Sequence, residues 1–257
     1  MNDQKKKLIE SHFDDQISNK TIDKNIFGYK EINFFMQRPY LFVEKNIIKN
    51  LKNKLKILDY CCGDGLYSIL PAILGHQVYG MDISSVSISK ANERAESQKI
   101  SNNTFFETMD AEKLTYKDNS FDLILSYGSL SYLKLNSAYN ELNRVLKPNG
   151  RLVVIDSLGH NPLLNLNRKK NLSNWGGEYS SSLETLKLRD IKLGNLYLNL
   201  KYIKFFDLFT VIGLLFYNKF NLSLNREILF SLDKLILSIP CLRLLAMKYV
   251  AVYEAKK

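Results

Sequence analysis

The sequence contains few cysteines, prolines or tryptophans. Of its 257 residues, three are cysteines, five are prolines and one is tryptophan. Cys61 and Cys62 are adjacent, and neighbouring cysteines rarely form a useful disulfide, which indicates a reducing compartment. The cysteines and histidines also lack the spacing of a zinc site, so no metal is predicted.

Long apolar runs are missing as well. No apolar segment reaches 18 residues without a charge, which is too short for a helix that crosses a bilayer. Residues 1–7 are not followed by the apolar stretch of a secretory signal, so we expect a cytoplasmic protein. Residues 205–247 are apolar with interspersed Lys and Arg, and two interpretations stay open. They form a cap on the domain, or they make peripheral contact with a membrane.

The positive charge lies mainly in the second half of the chain. The net charge of +10 divides into +2 for residues 1–160 and +8 for residues 161–257. Solvated lysines explain this excess, and a surface for anionic lipid or an anionic substrate is the alternative. No RNA-binding module or ladder of aromatic and basic residues accompanies the charge, so a nucleic-acid partner is not predicted.

Strand-like and helix-like segments alternate from residue 54 onwards. This pattern predicts an α/β fold with a parallel sheet between two layers of helices. Residues 3–20 are predicted to form a helix or mobile arm, and residues 40–51 and 205–217 to be helical. The alternating strands are expected at 54–60, 77–81, 104–107, 121–126 and 151–156, with helices at 84–98 and 137–146 between them; later come a strand at 196–206, a helix at 228–237 and a last strand at 248–253.

The most informative segment is the end of the first strand. Residues 57–65 read Ile-Leu-Asp-Tyr-Cys-Cys-Gly-Asp-Gly, which is a buried strand followed by a tight turn. Gly63 can adopt a positive φ there, and its lack of a Cβ lets a ligand approach the backbone. Open α/β sheets bind ligands at the carboxyl ends of their strands, so this turn predicts a ligand site.

Acidic residues close the next two strands. Asp82 can accept hydrogen bonds from the two hydroxyls of a ribose, or it can cap the helix that starts near Ser84. Asp110 follows the third strand and can accept a hydrogen bond from an exocyclic amine such as that of adenine, or act as a turn residue.

In their order and spacing, these segments resemble the motifs of class I S-adenosylmethionine-dependent methyltransferases. The resemblance covers residues 40–157 and includes the strand at 121–126 and Leu-Lys-Pro-Asn-Gly-Arg-Leu at 146–152. It implies S-adenosylmethionine as cofactor and a Rossmann-like, doubly wound, seven-stranded, mostly parallel sheet with an antiparallel last strand. On this basis we expect an N-terminal arm or lid over 1–38, a cofactor-binding core over 39–160 and a substrate cap completing the sheet over 161–257.

The resemblance also implies roles for single residues. Asp59 and Gly63 would hold the methionine end of the cofactor, and Asp82 its ribose. The family usually has Gly where this chain has Cys61, which places the detailed shape of the loop in question. The remaining predicted cofactor contacts are Cys61 and Gly65 in the loop, Ile83, Asp110 and Ala111 around the adenine, and Ser126 with Tyr127 beside the sulfonium.

A catalytic base is needed when the acceptor is a hydroxyl or a protonated amine. His160 follows the fifth strand and is predicted as a general base or acceptor ligand together with Tyr127; the alternative is that His160 fixes its loop. His12 is expected at the surface, with a role in the lid as the alternative, and His76 is expected in a structural role. Side chains that are expected near an acceptor are Asp156 as a polar contact and Tyr29, Tyr132 and Trp175 as walls.

The predicted function is methyl transfer from S-adenosylmethionine to a hydroxyl, amine or carbon of a small-molecule, lipid-linked or glycan-linked acceptor. The alternative keeps the cofactor but uses it for non-methyl chemistry, such as intramolecular alkylation. A nicotinamide-dependent oxidoreductase is disfavoured because Gly-x-Gly-x-x-Gly is absent from the first turn. A non-catalytic binding protein is disfavoured because Gly63, Asp82 and Asp110 are all present.

Overall fold

A seven-stranded sheet forms the centre of the molecule. The computed structural model describes residues 3–18, 20, 36–162, 164–166, 185–209 and 226–257. The strands lie in the order β3-β2-β1-β4-β5-β7-β6. They are β1 (Lys56–Tyr60), β2 (Gln77–Asp82), β3 (Thr104–Thr108), β4 (Phe121–Tyr127), β5 (Leu146–Ser157), β6 (Leu198–Phe206) and β7 (Lys248–Ala255).

The direction of the strands confirms the predicted fold class. Strands β1 to β5 run parallel to one another, whereas β7 is antiparallel to both β5 and β6. The strand order reverses at β1, which lies between β2 and β4. Ligands bind outside the carboxyl ends of strands at such a switch point, so the topology places a site at the ends of β1, β2 and β4.

Helices cover both faces of the sheet. Those that the structure describes are α1 (Asp3–Ser18), α2 (Arg38–Asn46), α3 (Ile69–Ile73), α4 (Ser85–Ser97), α5 (Leu135–Val145), α6 (Leu188–Leu193) and α7 (Arg226–Ile236). Alternate residues of β1 pack on opposite sides: Leu58 joins a cluster with Leu142 of α5, and Ile57 joins one with Val43 of α2. Burial on both faces explains why these strands read as nearly continuous apolar runs.

Most predicted boundaries of helices and strands are close to those in the structure, and two differ more. The predicted helix at 40–51 ends at Asn46, and a short 3-10 turn follows at Ile48–Asn50. The fifth strand begins at Leu146 rather than 151, because Leu146 already pairs with Phe121 before an irregularity in the register. Asn149 has a φ of 61° within this bulge, which lets the strand resume at Arg151.

The helix predicted over 205–217 is wrong at its start. Phe205 and Phe206 belong to β6, where they pair with Tyr249 and Lys248. Residues 210–217, like Tyr29 and Trp175, lie outside the described residues.

Helix α7 is fixed by one buried carboxylate. Asp233 forms an ion pair with Arg38 at 2.8 Å and accepts the backbone N–H groups of Leu208 and Phe209 at 3.0 and 2.6 Å. These bonds join α7 to α2 and to the residues after β6. Over the described ranges, no helix is both long and apolar enough to cross a bilayer.

Candidate active site

A cavity of about 310 Å³ lies between the carboxyl ends of the central strands and helix α1. Its volume falls in the range of about 300–1,000 Å³ that is usual for small-molecule sites. Residues of α1 close it from above, and loops after β1, β2, β3 and β4 form the rest of its wall. The predicted site residues that line it are Asp59, Cys61, Gly63, Asp82, Ile83, Asp110, Ala111 and Tyr127.

The turn after β1 depends on left-handed backbone conformations. Cys61, Gly63 and Gly65 have φ angles of 56°, 52° and 72°. A Cβ at Gly65 would lie 3.0 Å from the Cβ of Ala91, so glycine also lets α4 approach the turn closely. Cys61 adopts the left-handed conformation despite its side chain, at a cost of about 1 kcal/mol. The departure from the family's glycine therefore leaves the turn in place.

Asp82 joins this turn to the end of β2. Its buried carboxylate accepts the N–H of Gly63 at 2.9 Å through Oδ2 and the N–H of Ser84 at 3.0 Å through Oδ1. The N-cap of α4 is Ser84, whose Oγ accepts the N–H of Ser87. Burial raises the pKa of Asp82, against the effect of its backbone donors. Since a carboxylate has about four acceptor positions, Asp82 keeps capacity for hydroxyl donors from the cavity.

Asp59 is the most deeply buried carboxyl group of the site. The hydroxyl of Ser68 donates a hydrogen bond to its Oδ2 at 2.7 Å. Burial raises the pKa of Asp59 to about 7; the Ser68 hydrogen bond opposes the shift, and the nearby carboxylates of Asp82 and Asp64 add to it. A cation in the cavity would stabilise the ionised form of Asp59.

Sequence reasoning missed an ion pair between Asp64 and Arg94. Nη2 of Arg94 lies 2.7 Å from Oδ2 of Asp64, and its Nε donates to the carbonyl oxygen of Asp64 at 3.0 Å. Burial alone would raise the pKa of Asp64, but Arg94 and Lys20 outweigh it and hold that pKa below its usual value. Arg94 follows Ala91 by three positions and so lies on the apolar face of α4. A charged residue on that face was the feature of the sequence that could have predicted a buried ion pair.

The loop after β3 presents Asp110 at the other end of the cavity. Its Oδ1 accepts the N–H of Glu112 at 2.9 Å, and its Oδ2 accepts a hydrogen bond from the ammonium of Lys6 at 2.5 Å. Burial opposes ionisation, yet Lys6 and the Glu112 N–H hold the pKa of Asp110 below its usual value. Tyr60 donates to the carbonyl oxygen of Ala111 at 2.6 Å and so fixes this loop to β1.

Aromatic side chains form the wall beyond β4. The ring of Tyr127 meets that of Tyr67 edge to face at 4.5 Å, and Phe13 of α1 meets Tyr132 at 5.4 Å. All four side chains line the cavity. Burial raises the pKa values of Tyr67 and Tyr127 well above the usual value, so both phenols keep their protons at neutral pH.

Three of the predicted site residues lie outside the described lining of the cavity. Gly65 packs against α4, and the hydroxyl of Ser126 contacts that of Ser129, which does line the cavity, at 2.7 Å. His160 accepts the N–H of Leu188 at 2.9 Å through Nε2. This bond fits the loop-fixing interpretation of His160, and its catalytic role stays a prediction.

The other polar side chains singled out from the sequence have structural contacts. His76 accepts the N–H of Leu55 at 3.3 Å through Nδ1. Asp156 is buried and accepts the N–H of Leu130 at 3.1 Å. In the part of the chain that the structure describes, no group of three or more His, Cys, Asp or Glu side chains is placed to hold a metal ion.

The arrangement fits the adenosyl cofactor that the sequence pattern implies. Asp59 is a buried carboxyl group whose ionised form a cationic amino group would stabilise, Asp82 retains acceptor positions at the strand end, and Asp110 lies one strand further along. At Gly63, no heavy atom apart from the glycine and its two chain neighbours lies within 4 Å of the place that a Cβ would take, so the backbone of the turn is open to the cavity.

Comparison with known proteins identifies the family. A family model described as a methyltransferase domain matches residues 51–201, more than half of the chain. Demethylmenaquinone methyltransferase of Lactiplantibacillus plantarum is 30% identical over 112 residues, or 42% of this chain and 47% of that protein. The 2-phytyl-1,4-naphtoquinone methyltransferase of Nostoc sp. is 35% identical over 103 residues, or 38% of this chain and 45% of that protein. The chain thus spans about half the length of the curated relatives that it matches.

A solved structure extends the likeness across the whole chain. Geranyl diphosphate C-methyltransferase from Streptomyces coelicolor A3(2), crystallised with Mg²⁺, geranyl diphosphate and S-adenosyl-L-homocysteine, superposes with a TM-score of 0.68. The match covers 98% of this chain and 97% of that chain at 14% identity. At this identity the likeness concerns the fold, and it agrees with the seven-stranded arrangement described above.

Proposed function

The chain belongs to the methyltransferase-domain family and has the fold of class I S-adenosylmethionine-dependent methyltransferases. We therefore propose that it transfers a methyl group to a small, largely apolar acceptor. The observation that carries this proposal is that two kinds of side chain line one cavity. The carboxylates at the ends of β1, β2 and β3 are its carboxylate part, and Phe13, Tyr67, Tyr127 and Tyr132 are its aromatic part.

We assign the cofactor to the carboxylate part. Asp59 would hold the amino group of the methionine end, Asp82 the ribose hydroxyls and Asp110 the adenine amine. When bound, S-adenosylmethionine supplies an electrophilic methyl group on its sulfonium. Tyr67 and Tyr127 line the cavity, and their rings contact each other edge to face. Alignment of the acceptor is the main contribution of the protein to such a displacement.

The acceptor class follows from the aromatic part of the cavity. Tyr127 keeps its proton, so it can donate a hydrogen bond to an oxygen of the acceptor but is a poor base; Tyr67 also keeps its proton, and its hydroxyl interacts with that of Tyr40. This favours an acceptor atom that is a carbon or an already ionised oxygen. The curated relatives are named for naphthoquinone-type substrates and the structural neighbour for geranyl diphosphate, which supports an apolar ring or isoprenoid acceptor. Of the predicted catalytic pair we retain Tyr127 as a hydrogen-bond donor, and His160 as the weaker candidate.

The test combines cofactor binding with product mass. We expect S-adenosylhomocysteine to bind in calorimetry, and S-adenosylmethionine to add one methyl group to a reduced naphthoquinone or a prenyl diphosphate in a panel that also contains polar sugars. A cofactor fragment formed without any acceptor would indicate non-methyl chemistry instead. Absence of S-adenosylhomocysteine binding would overturn the proposal.

We also propose that the C-terminal cap makes peripheral contact with an anionic membrane. Ile228, Leu232, Leu235 and Ile239 recur at helical spacing and are 38–65% exposed. Residues 161–257 carry a net charge of +8, which favours anionic lipid. We expect co-sedimentation with phosphatidylglycerol vesicles that is lost in the Leu235→Ser variant and kept in Leu196→Ser, since Leu196 is equally exposed elsewhere. Equal binding by the two variants would contradict this surface.

A further inference from the structure

Helix α1 covers the cavity and contacts one of the residues that are proposed to hold the cofactor, Asp110. Ile9, Phe13 and Ile17 of this helix line the cavity from above. Its polar contacts lead down to the strand ends: Lys6 to Asp110, Asp14 to the hydroxyl of Ser84, and Lys20, just after the helix, to Asp64. A ligand in the cavity therefore lies beneath α1.

The contact of Lys6 is the best defined of these. Its Nζ lies 2.5 Å from Oδ2 of Asp110 and 3.7 Å from Oε2 of Glu112, so one ammonium faces two carboxylates. The side chain of Lys6 is 19% exposed and that of Asp110 is 34% exposed, which reduces the screening of their attraction by water. The pair also raises the pKa of Lys6, chiefly through the hydrogen bond to Asp110, so the ammonium stays charged.

We propose that Lys6 is a latch that controls how fast the nucleoside enters and leaves the site. The inference rests on the proposed function, because Asp110 is there assigned to the adenine amine. The enclosed nucleoside can leave only when α1 moves away from the strand ends, and this movement breaks the bond between Lys6 and Asp110. Lys6 is thus a positioning residue that acts on the cofactor through α1 and Asp110.

The chain offers a matched pair of substitutions. Lys6→Gln and Lys7→Gln remove the same charge from adjacent positions of α1, but Lys7 is exposed to solvent. A partly exposed ion pair of this kind corresponds to about a threefold to fivefold change in a rate. We expect Lys6→Gln to raise the dissociation rate of S-adenosylhomocysteine by about that factor, measured by stopped-flow displacement. Lys7→Gln should leave the rate unchanged, and Lys6→Arg should restore it in part.

Two further measurements separate a latch from a general loss of stability. Salt screens ion pairs, so the dissociation rate of the wild-type protein should rise with salt while that of Lys6→Gln changes less. Hydrogen exchange of α1 without ligand should be faster in Lys6→Gln than in Lys7→Gln, with exchange of the central strands unaltered. Equal dissociation rates and equal α1 exchange in the two variants would overturn the latch alone. Failure of the wild-type protein to bind S-adenosylhomocysteine would overturn the proposed function and the latch together.

Discussion

The floor and the roof of the cavity are built from different interactions. The floor consists of the strand-end residues Asp59, Gly63 and Asp82. The carboxylate of Asp82 accepts backbone N–H groups, including that of Gly63, and the carboxylate of Asp59 accepts the hydroxyl of Ser68. The roof is helix α1, which lies on the floor through apolar side chains and through long lysine side chains such as Lys6.

This difference separates binding from access. Backbone positions in a buried sheet are set by the strands, so we expect the floor to keep its geometry when a ligand binds. Lysine contacts at a partly exposed surface are individually weak, and a helix held by them can open without unfolding of the sheet. We therefore expect the floor to determine affinity and stability, and the roof to determine the rates of ligand exchange.

The largest effect is expected on stability, from the ion pair between Asp64 and Arg94 that joins the turn after β1 to α4. Asp64→Asn would remove the carboxylate that lies 2.7 Å from the guanidinium of Arg94, a side chain that is 1% exposed. Removal of one partner of a buried ion pair destabilises a protein strongly, so we expect the free energy of unfolding to fall by about 3 kcal/mol. Urea denaturation measures this change.

The control for Asp64→Asn lies on the same helix as Arg94. Glu93 forms an ion pair with Lys90 at 3.1 Å, and its side chain is 58% exposed. Glu93→Gln should change the free energy of unfolding by less than about 0.5 kcal/mol. If the free energy of unfolding fell by the same small amount in both variants, the ion pair of Asp64 would contribute no more to stability than the exposed pair of Glu93.

The floor could be predicted from the sequence and the roof mostly could not. The turn at 57–65 and the acids at Asp82 and Asp110 are local features, because each sits directly at the end of a strand that apolar residues reveal. The contact between Lys6 and Asp110 joins residues 104 positions apart, and nothing in a polar helical segment shows where its lysines will point. Arg94 is an intermediate case. A charged residue on the apolar face of a helix predicts a buried partner, but the sequence does not identify that partner.

The second largest effect concerns affinity. Asp82→Asn removes the charge that the ribose hydroxyls would contact, while the side chain keeps an oxygen for a backbone donor. Hydrogen bonds to charged groups contribute about 1.5–3 kcal/mol, so affinity for S-adenosylhomocysteine should fall by about 10- to 100-fold. Calorimetry measures the affinity, and Asp118→Asn, at an exposed ion pair with Arg144, serves as control. Unchanged affinity with an unchanged melting temperature would remove Asp82 from the site.

The third effect is a pH dependence of ligand affinity that arises from Asp59 in the floor. The pKa of Asp59 is raised to about 7, so the carboxylate that would hold a cationic amino group is mostly protonated at pH 6. Affinity for S-adenosylhomocysteine should therefore rise about tenfold between pH 6 and pH 8 and level off above that range. The sign is opposite for stability without ligand. Because the folded state holds this proton at a higher pH than the unfolded state does, stability falls as pH rises from about 4 to 7.

Asp59→Asn separates this group from the other carboxylates. The variant should bind S-adenosylhomocysteine more weakly, and its affinity should no longer depend on pH between 6 and 8. Calorimetry in two buffers of different ionisation enthalpy should also show uptake of a proton by the buffer at pH 6 for the wild-type protein only. A tenfold pH dependence that persists in the variant would assign the titration to another residue.

The smallest effect is expected at His160, outside both floor and roof. Its Nε2 accepts one backbone N–H, and a glutamine carbonyl can accept the same bond. His160→Gln should therefore lower the free energy of unfolding by less than about 1 kcal/mol and leave affinity for S-adenosylhomocysteine unchanged. A catalytic base contributes about 10²- to 10⁴-fold in rate, so a loss of that size in kcat with intact binding would show that the ring serves the reaction. A kcat within about twofold of the wild-type value would assign His160 to its loop and leave the aromatic wall to orient the acceptor.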